Sequence, residues 1–166
     1  MLVIGIDPGL DGALAVLEGS GECLELRRTP TLRVHGRAAR REYDLPAMAE
    51  MLRAWAAAAP QVCAAVERVH AMPRQGVRSM FRLGYGLGIW EALLAAYRIP
   101  YDLVAPQRWQ RVMLADGPRG KGARRLRALK LFPAYWDLLR RRGNDGLADA
   151  LLIAEYGRRA FVAAAR

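Results

Sequence analysis

Leu2-Val3-Ile4-Gly5-Ile6-Asp7-Pro8-Gly9-Leu10-Asp11-Gly12 is the stretch from which the fold can be read. Leu2 to Ile6 is aliphatic and rich in β-branched residues, without polar alternation. That is the signature of a central strand covered on both faces. Asp7 closes the strand at its carboxyl end, where open α/β sheets build their sites. Pro8-Gly9 sets a tight turn, with Pro fixing φ and Gly free to adopt a positive one. Asp7 thus has two readings, as the residue that starts the turn or as a group that does chemistry. The rest of the chain must decide between them.

With 166 residues the chain is expected to form one domain, spanning 1–166, and to bury a real core. It has no apolar run of ~18 residues and no basic-then-apolar leader, so a soluble protein with no membrane partner is expected. Cys23 and Cys63 stand far apart and read as small buried hydrophobes rather than a metal knuckle or redox pair. Charge says more. Lys and Arg number 26 against 16 Asp and Glu, a net charge of +10. Such a surface favours a polyanion, of which nucleic acid is the commonest in a cell.

Outward from the turn, Ala13–Glu18 and Cys23–Arg28 read as two further strands joined through Gly19-Ser20-Gly21, making an antiparallel meander. Residues 29–43 are polar and basic and read as an exposed loop or ragged helix start. Leu45–Ala58 is an amphipathic helix stopped by Pro60. Val62–Val66 is a second continuous apolar run, and it ends in Glu67. The intervening helix makes a crossover that lays this strand parallel to the first, which carries Glu67 to the sheet edge of Asp7. A linker over 68–78 leads to a helix over 79–97 bearing Gly84, Gly86 and Gly88. Gly84 and Gly88 share a face, and close packing is the preferred reason for them. Tyr101–Ala105 is a fifth strand, Pro106 opens another helix, Arg119–Leu131 is a strongly basic surface helix, and Tyr135–Arg142 adds a short one. A final helix over 148–159 carries Asp149 among small and apolar residues. Asp145 lies one turn earlier, either as an N-cap or on the face of Asp149.

IGIDPG, the strand-terminal Glu67, and D-x-x-x-D-A-L on the last helix together resemble the RuvC family of Holliday-junction resolvases, in its divergent, phage-type branch. Ser79-Met80-x-x-Leu83-Gly84 and Pro106-Gln107-x-Trp109 extend the likeness over nearly the whole chain. The resemblance implies an α/β, RNase H-like fold: a mixed five-stranded sheet, its first three strands antiparallel, with helices on both faces. It also implies a cytoplasmic, homodimeric, Mg²⁺-dependent endonuclease of a bacterial or phage-infected cell, with Mn²⁺ able to substitute. Asp7, Glu67 and Asp149 match its metal ligands. The family's fourth ligand lies three residues before the last Asp, where this chain has Gly146, so Asp145 is the candidate substitute.

The chemistry agrees with that likeness. Phosphodiester hydrolysis needs an activated water and a stabilised leaving oxygen, and two Mg²⁺ ions about 3.5–4 Å apart supply both. Mg²⁺ takes oxygen ligands and keeps several waters, so three or four carboxylates suffice, with Asp7 bridging. His70 falls where the family inserts an aromatic into the junction. Arg74, Arg78, Arg82, Lys121, Arg124 and Arg125 are the candidates for phosphate contacts. The helix over 79–97 is the expected dimer surface. Three rivals stand beside a junction resolvase: the same chemistry on another branched or RNA–DNA substrate, a non-cleaving junction binder, and an actin-like ATP-binding fold. The last needs a second, related half for which the chain has no room.

Overall fold

The structure, a computed structural model, describes residues 1–34, 40–70, 76–115, 117–118 and 120–164. Strands β1 (Leu2–Asp7), β2 (Ala13–Glu18) and β3 (Cys23–Arg28) form the meander, with antiparallel pairing throughout. Helix α1 (Leu45–Ala58) carries the chain to β6 (Val62–Glu67), which pairs parallel to β1, and α2 (Val77–Ala96) leads to β7 (Tyr101–Val104), parallel to β6. The five-stranded order is β3-β2-β1-β6-β7. This is the mixed sheet expected, with the most apolar strand at its centre. Helices α3 (Pro106–Leu114), α4 (Lys121–Leu131), α5 (Trp136–Leu139) and α6 (Asp145–Ala164) complete the chain.

Side-chain alternation sorts β1 and β6 between two cores. Leu2, Ile4, Ile6, Ala64 and Val66 face α1 and α2, where Met48, Leu52, Trp90 and Leu94 meet them. The odd-numbered positions face α6. At Gly5 the helix lies directly on the strand: a Cβ there would overlap the main chain of Ala150 and Ala154, reaching to 2.6 Å from the Ala154 Cα. Only glycine lets a helix approach a strand this closely. Because Asp7 and Glu67 are also odd-numbered, the same alternation turns both toward α6.

Several expectations give way. Two parts of the stretch 29–43 are strands rather than loop or helix: β4 (Thr31–Val34) and β5 (Arg40–Tyr43) make a separate two-stranded sheet, with residues 35–39 outside those described. Their mostly exposed, charged side chains hide the alternation that marks a half-buried strand. Among the described residues Gly84 and Gly88 have nothing close to them, and it is Gly86 that packs, where a Cβ would strike the Tyr43 hydroxyl and come within 2.6 Å of the Pro8 carbonyl oxygen. Helix α6 opens at Asp145, three residues earlier than expected, which places Asp145 in the first turn rather than at the cap. The short helix read over 135–142 is a 3₁₀ turn over Pro133–Tyr135 followed by α5. Cys23 and Cys63 are only half-buried. Among the described residues no helix is long and apolar enough to cross a membrane.

Candidate metal centre

Parallel pairing aligns Ile6 with Val66, so the next residues along, Asp7 and Glu67, end their strands side by side. The close contact at Gly5 brings the first turns of α6, with Asp145 and Asp149, over the same edge. A cleft of about 970 Å³ opens there. The turn after β1 forms its floor, with Asp7, Asp11 and Gly12. Asp145, Gly146 and Asp149 come from α6, Lys121 and Arg124 from α4, and Arg78 and Arg82 from α2.

The acids feel one another. Burial raises the Asp7 carboxyl to about 7, with Glu67 and Asp149 adding repulsion that the Gly9 amide and Arg124 only partly offset. Burial likewise lifts Glu67 to about 7, with Asp149 adding to it, against a hydrogen bond from Trp109 and the charge of Arg124. Asp149 is held above the ordinary carboxylate range, chiefly by burial and then by Asp145, even though Arg124 grips it. Buried acids that repel one another in this way are groups a hard cation is suited to discharge.

Two of the acids are already engaged. The Arg124 guanidinium donates to both oxygens of Asp149, at 2.6 and 3.1 Å, and Arg125 donates to Asp145 at 2.8 Å with Lys121 nearby at 3.9 Å. Among the described residues no three acidic, His or Cys side chains stand close enough together to hold an ion as they are. The oxygen-only donor set fits Mg²⁺ chemically, on condition that Arg124 releases Asp149. Gly146 has no room for a ligand side chain. A Cβ there would overlap the Asp11 carbonyl and stand 2.9 Å from the Gly12 Cα and 3.1 Å from Asp7 Oδ2. That leaves Asp145, on the same first turn and lining the same cleft, as the candidate for the fourth ligand.

The remaining expected residues divide. Arg78, Arg82, Lys121 and Arg124 line the cleft, and Arg125 sits beside it on Asp145. His70 is exposed beyond β6 and does not line the cleft. Arg74 lies outside the described residues. Two contributors have no role assigned from the sequence, where Trp109 is only part of a motif. Trp109, fully buried, donates its indole N–H to Glu67 at 2.7 Å, and Tyr43 lays its hydroxyl on the Pro8 carbonyl at 3.3 Å. A buried indole needs an acceptor, and that need was the available signal for Trp109. On α2, Phe81 and Tyr85 are exposed, four residues apart and stacked with centroids at 6.3 Å; their spacing marks a shared helix face.

No family model matches the chain. A stretch of 91 residues, 55% of the chain, is 32% identical to the chloroplastic Holliday junction resolvase MOC1 of Chlamydomonas reinhardtii, and it spans about a tenth (10%) of that protein's length. Among solved structures, the chain resembles T. thermophilus RuvC in complex with a Holliday junction substrate, with a TM-score of 0.62 at 20% identity over 98% of this chain and 94% of that one. It also resembles another Thermus thermophilus RuvC structure, with a TM-score of 0.55 at 19% identity, covering 98% and 97%. The fold is therefore the RuvC type of RNase H-like domain, and the relative found by sequence is a Holliday junction resolvase.

Proposed function

We propose that this chain is a structure-selective endonuclease that resolves four-way DNA junctions by paired phosphodiester hydrolysis during recombination and repair. The observation that carries the reading is the alignment of Asp7 and Glu67 at one sheet edge, with Asp7 and Asp149 lining a cleft rimmed by arginine and lysine, on a RuvC-type fold. Asp7, Glu67, Asp149 and Asp145 would hold Mg²⁺, or Mn²⁺ in its place. Two bound ions would activate the attacking water and stabilise the leaving 3′ oxygen.

The chain's own residues do the rest. Trp109 orients Glu67 by holding one carboxylate oxygen. The Gly9 amide lies 3.5 Å from Asp7 Oδ1 and keeps that carboxylate against its own turn. Arg124 serves as the resident counter-charge of Asp149 and, once released, stands at the rim of the cleft to meet a phosphate. Arg78, Arg82 and Lys121 add positive charge along the approach.

A homodimer suits a junction with approximate two-fold symmetry, because an isologous pair presents two sites to opposing strands. The outer face of α2 supports this reading: Val77, Phe81 and Tyr85 are 79%, 73% and 50% exposed, beside the open Gly84 and Gly88.

The decisive experiment is Mg²⁺-dependent cleavage of a mobile four-way junction, with products mapped on all four strands. Symmetric nicks in a pair of opposing strands are expected, and Asp7→Asn should still bind the junction while losing all nicking. Normal nicking by Asp7→Asn would sink the mechanism. A second reading, a junction binder that does not cut, draws on the arginine-held state of Asp149 and Asp145. Binding without Mg²⁺-dependent products would favour it.

A further inference from the structure

The β4–β5 hairpin is paired with no strand of the main sheet, and two-stranded hairpins are marginal by themselves. Its register sets Thr31 opposite Tyr43 and Arg33 opposite Arg41. By alternation those four share one face. Tyr43 identifies where that face points: it is buried, with its hydroxyl 3.3 Å from the Pro8 carbonyl and 3.2 Å from the Arg82 carbonyl. Arg41, on the same face, is bonded to Asp11 in the turn that follows Asp7. The hairpin therefore sets two directly opposed arginines on the face that meets the turn after Asp7.

Like charges directly opposite each other weaken a strand pair. The outer face has no such pair: Arg40 stands opposite Val34 and is bonded to Glu42 at 2.8 Å. The inner face does: among the described residues Arg33 is bonded to no carboxylate, and the Asp11 partner of Arg41 is itself 79% exposed. A repulsive pair is thus kept on the one face that looks at the site.

We infer that the β4–β5 hairpin is a phosphate-gripping arm, whose Arg33 and Arg41 hold the backbone of a DNA strand as it passes Asp7 on the side of α2. The inference rests on the nuclease reading. Recognition is by phosphate charge, so it carries no base preference. Arg82, whose carbonyl receives Tyr43, joins the arm to the α2 rim of the cleft.

Arg33→Thr, with Arg40→Thr as the outer-face control, tests it. Binding of a labelled four-way junction would be followed by anisotropy across a salt series, with Ca²⁺ replacing Mg²⁺. Arg33→Thr is expected to weaken binding several-fold and to flatten the slope of log K against log salt by about 0.9, the share of one phosphate contact. Its melting temperature without DNA should hold or rise, because a like-charge repulsion has gone. Arg40→Thr should keep the wild-type slope. An unchanged slope and affinity in Arg33→Thr would overturn the arm. So would a fall in melting temperature with the slope intact, or an equal loss in Arg40→Thr. Failure of the wild-type chain to bind any junction would instead overturn the nuclease reading, and the arm with it.

Discussion

Helix α6 carries two acids held by arginine, Glu155 midway along it and Asp149 in its first turns, and they differ in kind. Glu155 is 5% exposed; burial raises its carboxyl, but hydrogen bonds from Arg158 and Arg159 outweigh that and leave it below its ordinary value. Those arginines lie three and four residues on in the same helix, and Arg158 also bonds the Gly19 carbonyl at 3.0 Å. Asp149 has one bidentate arginine, borrowed from α4, and still sits above its ordinary value because it is buried and Asp145 stands beside it. The first acid is fully answered by its own helix and serves to fasten the β2–β3 turn. The second is answered by a partner from another helix, within a group of acids. An acid whose neighbours repel it, and whose counter-charge comes from another element, has the character of a site rather than a staple.

Substitution at the two positions should separate these roles most sharply. Asp149→Asn is expected to lower Mg²⁺-dependent junction cleavage on the order of a thousandfold, the loss of several kcal/mol of transition-state stabilisation. Glu155→Gln should leave cleavage within a few-fold while costing about 1–3 kcal/mol in denaturant unfolding, as expected when a charged hydrogen-bond partner is lost. Equal effects of the two on cleavage would erase the distinction.

The pH dependence of stability sharpens it next. Asp7 and Glu67 have folded values near 7, above their unfolded ones. The stability they contribute is therefore fully present below about pH 4 and is lost as the pH rises through about 7. In metal-free protein the melting temperature should fall across that window. The trend should be shallower in Asp7→Asn, and Mg²⁺ should recover the loss at the alkaline end. Glu155 runs the other way: its folded value is depressed, so its contribution is present at neutral pH and lost on acidification. Glu155→Gln should leave the alkaline decline in place, and its disappearance in that variant would contradict the assignment.

The smallest expected effect concerns the borrowed partner. Arg124→Gln removes the group that competes for Asp149, so Mn²⁺ binding followed by calorimetry should tighten by a few-fold while the metal-free protein loses stability. Weaker Mn²⁺ binding would mean that Arg124 supports the ion rather than standing in for it.

Much of the centre could be read from residue type and order. Leu2–Ile6 and Val62–Val66 are apolar enough to name buried strands, and a crossover between them has only one common handedness, so Asp7 and Glu67 meet. What escaped reading depends on contacts between remote residues. Arg33, Arg40 and Arg41 conceal a hairpin because its side chains are mostly exposed and charged, leaving no apolar alternation to see. Gly86 looks no different from Gly84 and Gly88 until Tyr43 is placed against it. The engagement of Asp149 by Arg124 joins two helices whose relative position no local pattern encodes. Gly146, a gap in the expected ligand pattern, makes sense only with the Asp11 carbonyl beside it.

The contact of α6 with Gly5 has one more consequence. Where side chains separate two elements, their spacing drifts as rotamers change and as mutation exchanges one residue for another. Here main chain rests on main chain, so the distance from the end of β1 to the first turns of α6 is fixed like the throat of a gauge. Repacking elsewhere in either core leaves that calibre alone. On the proposed reading, the acids on the strand and on the helix would change partners, from arginine to cation, without the scaffold beneath them having to move.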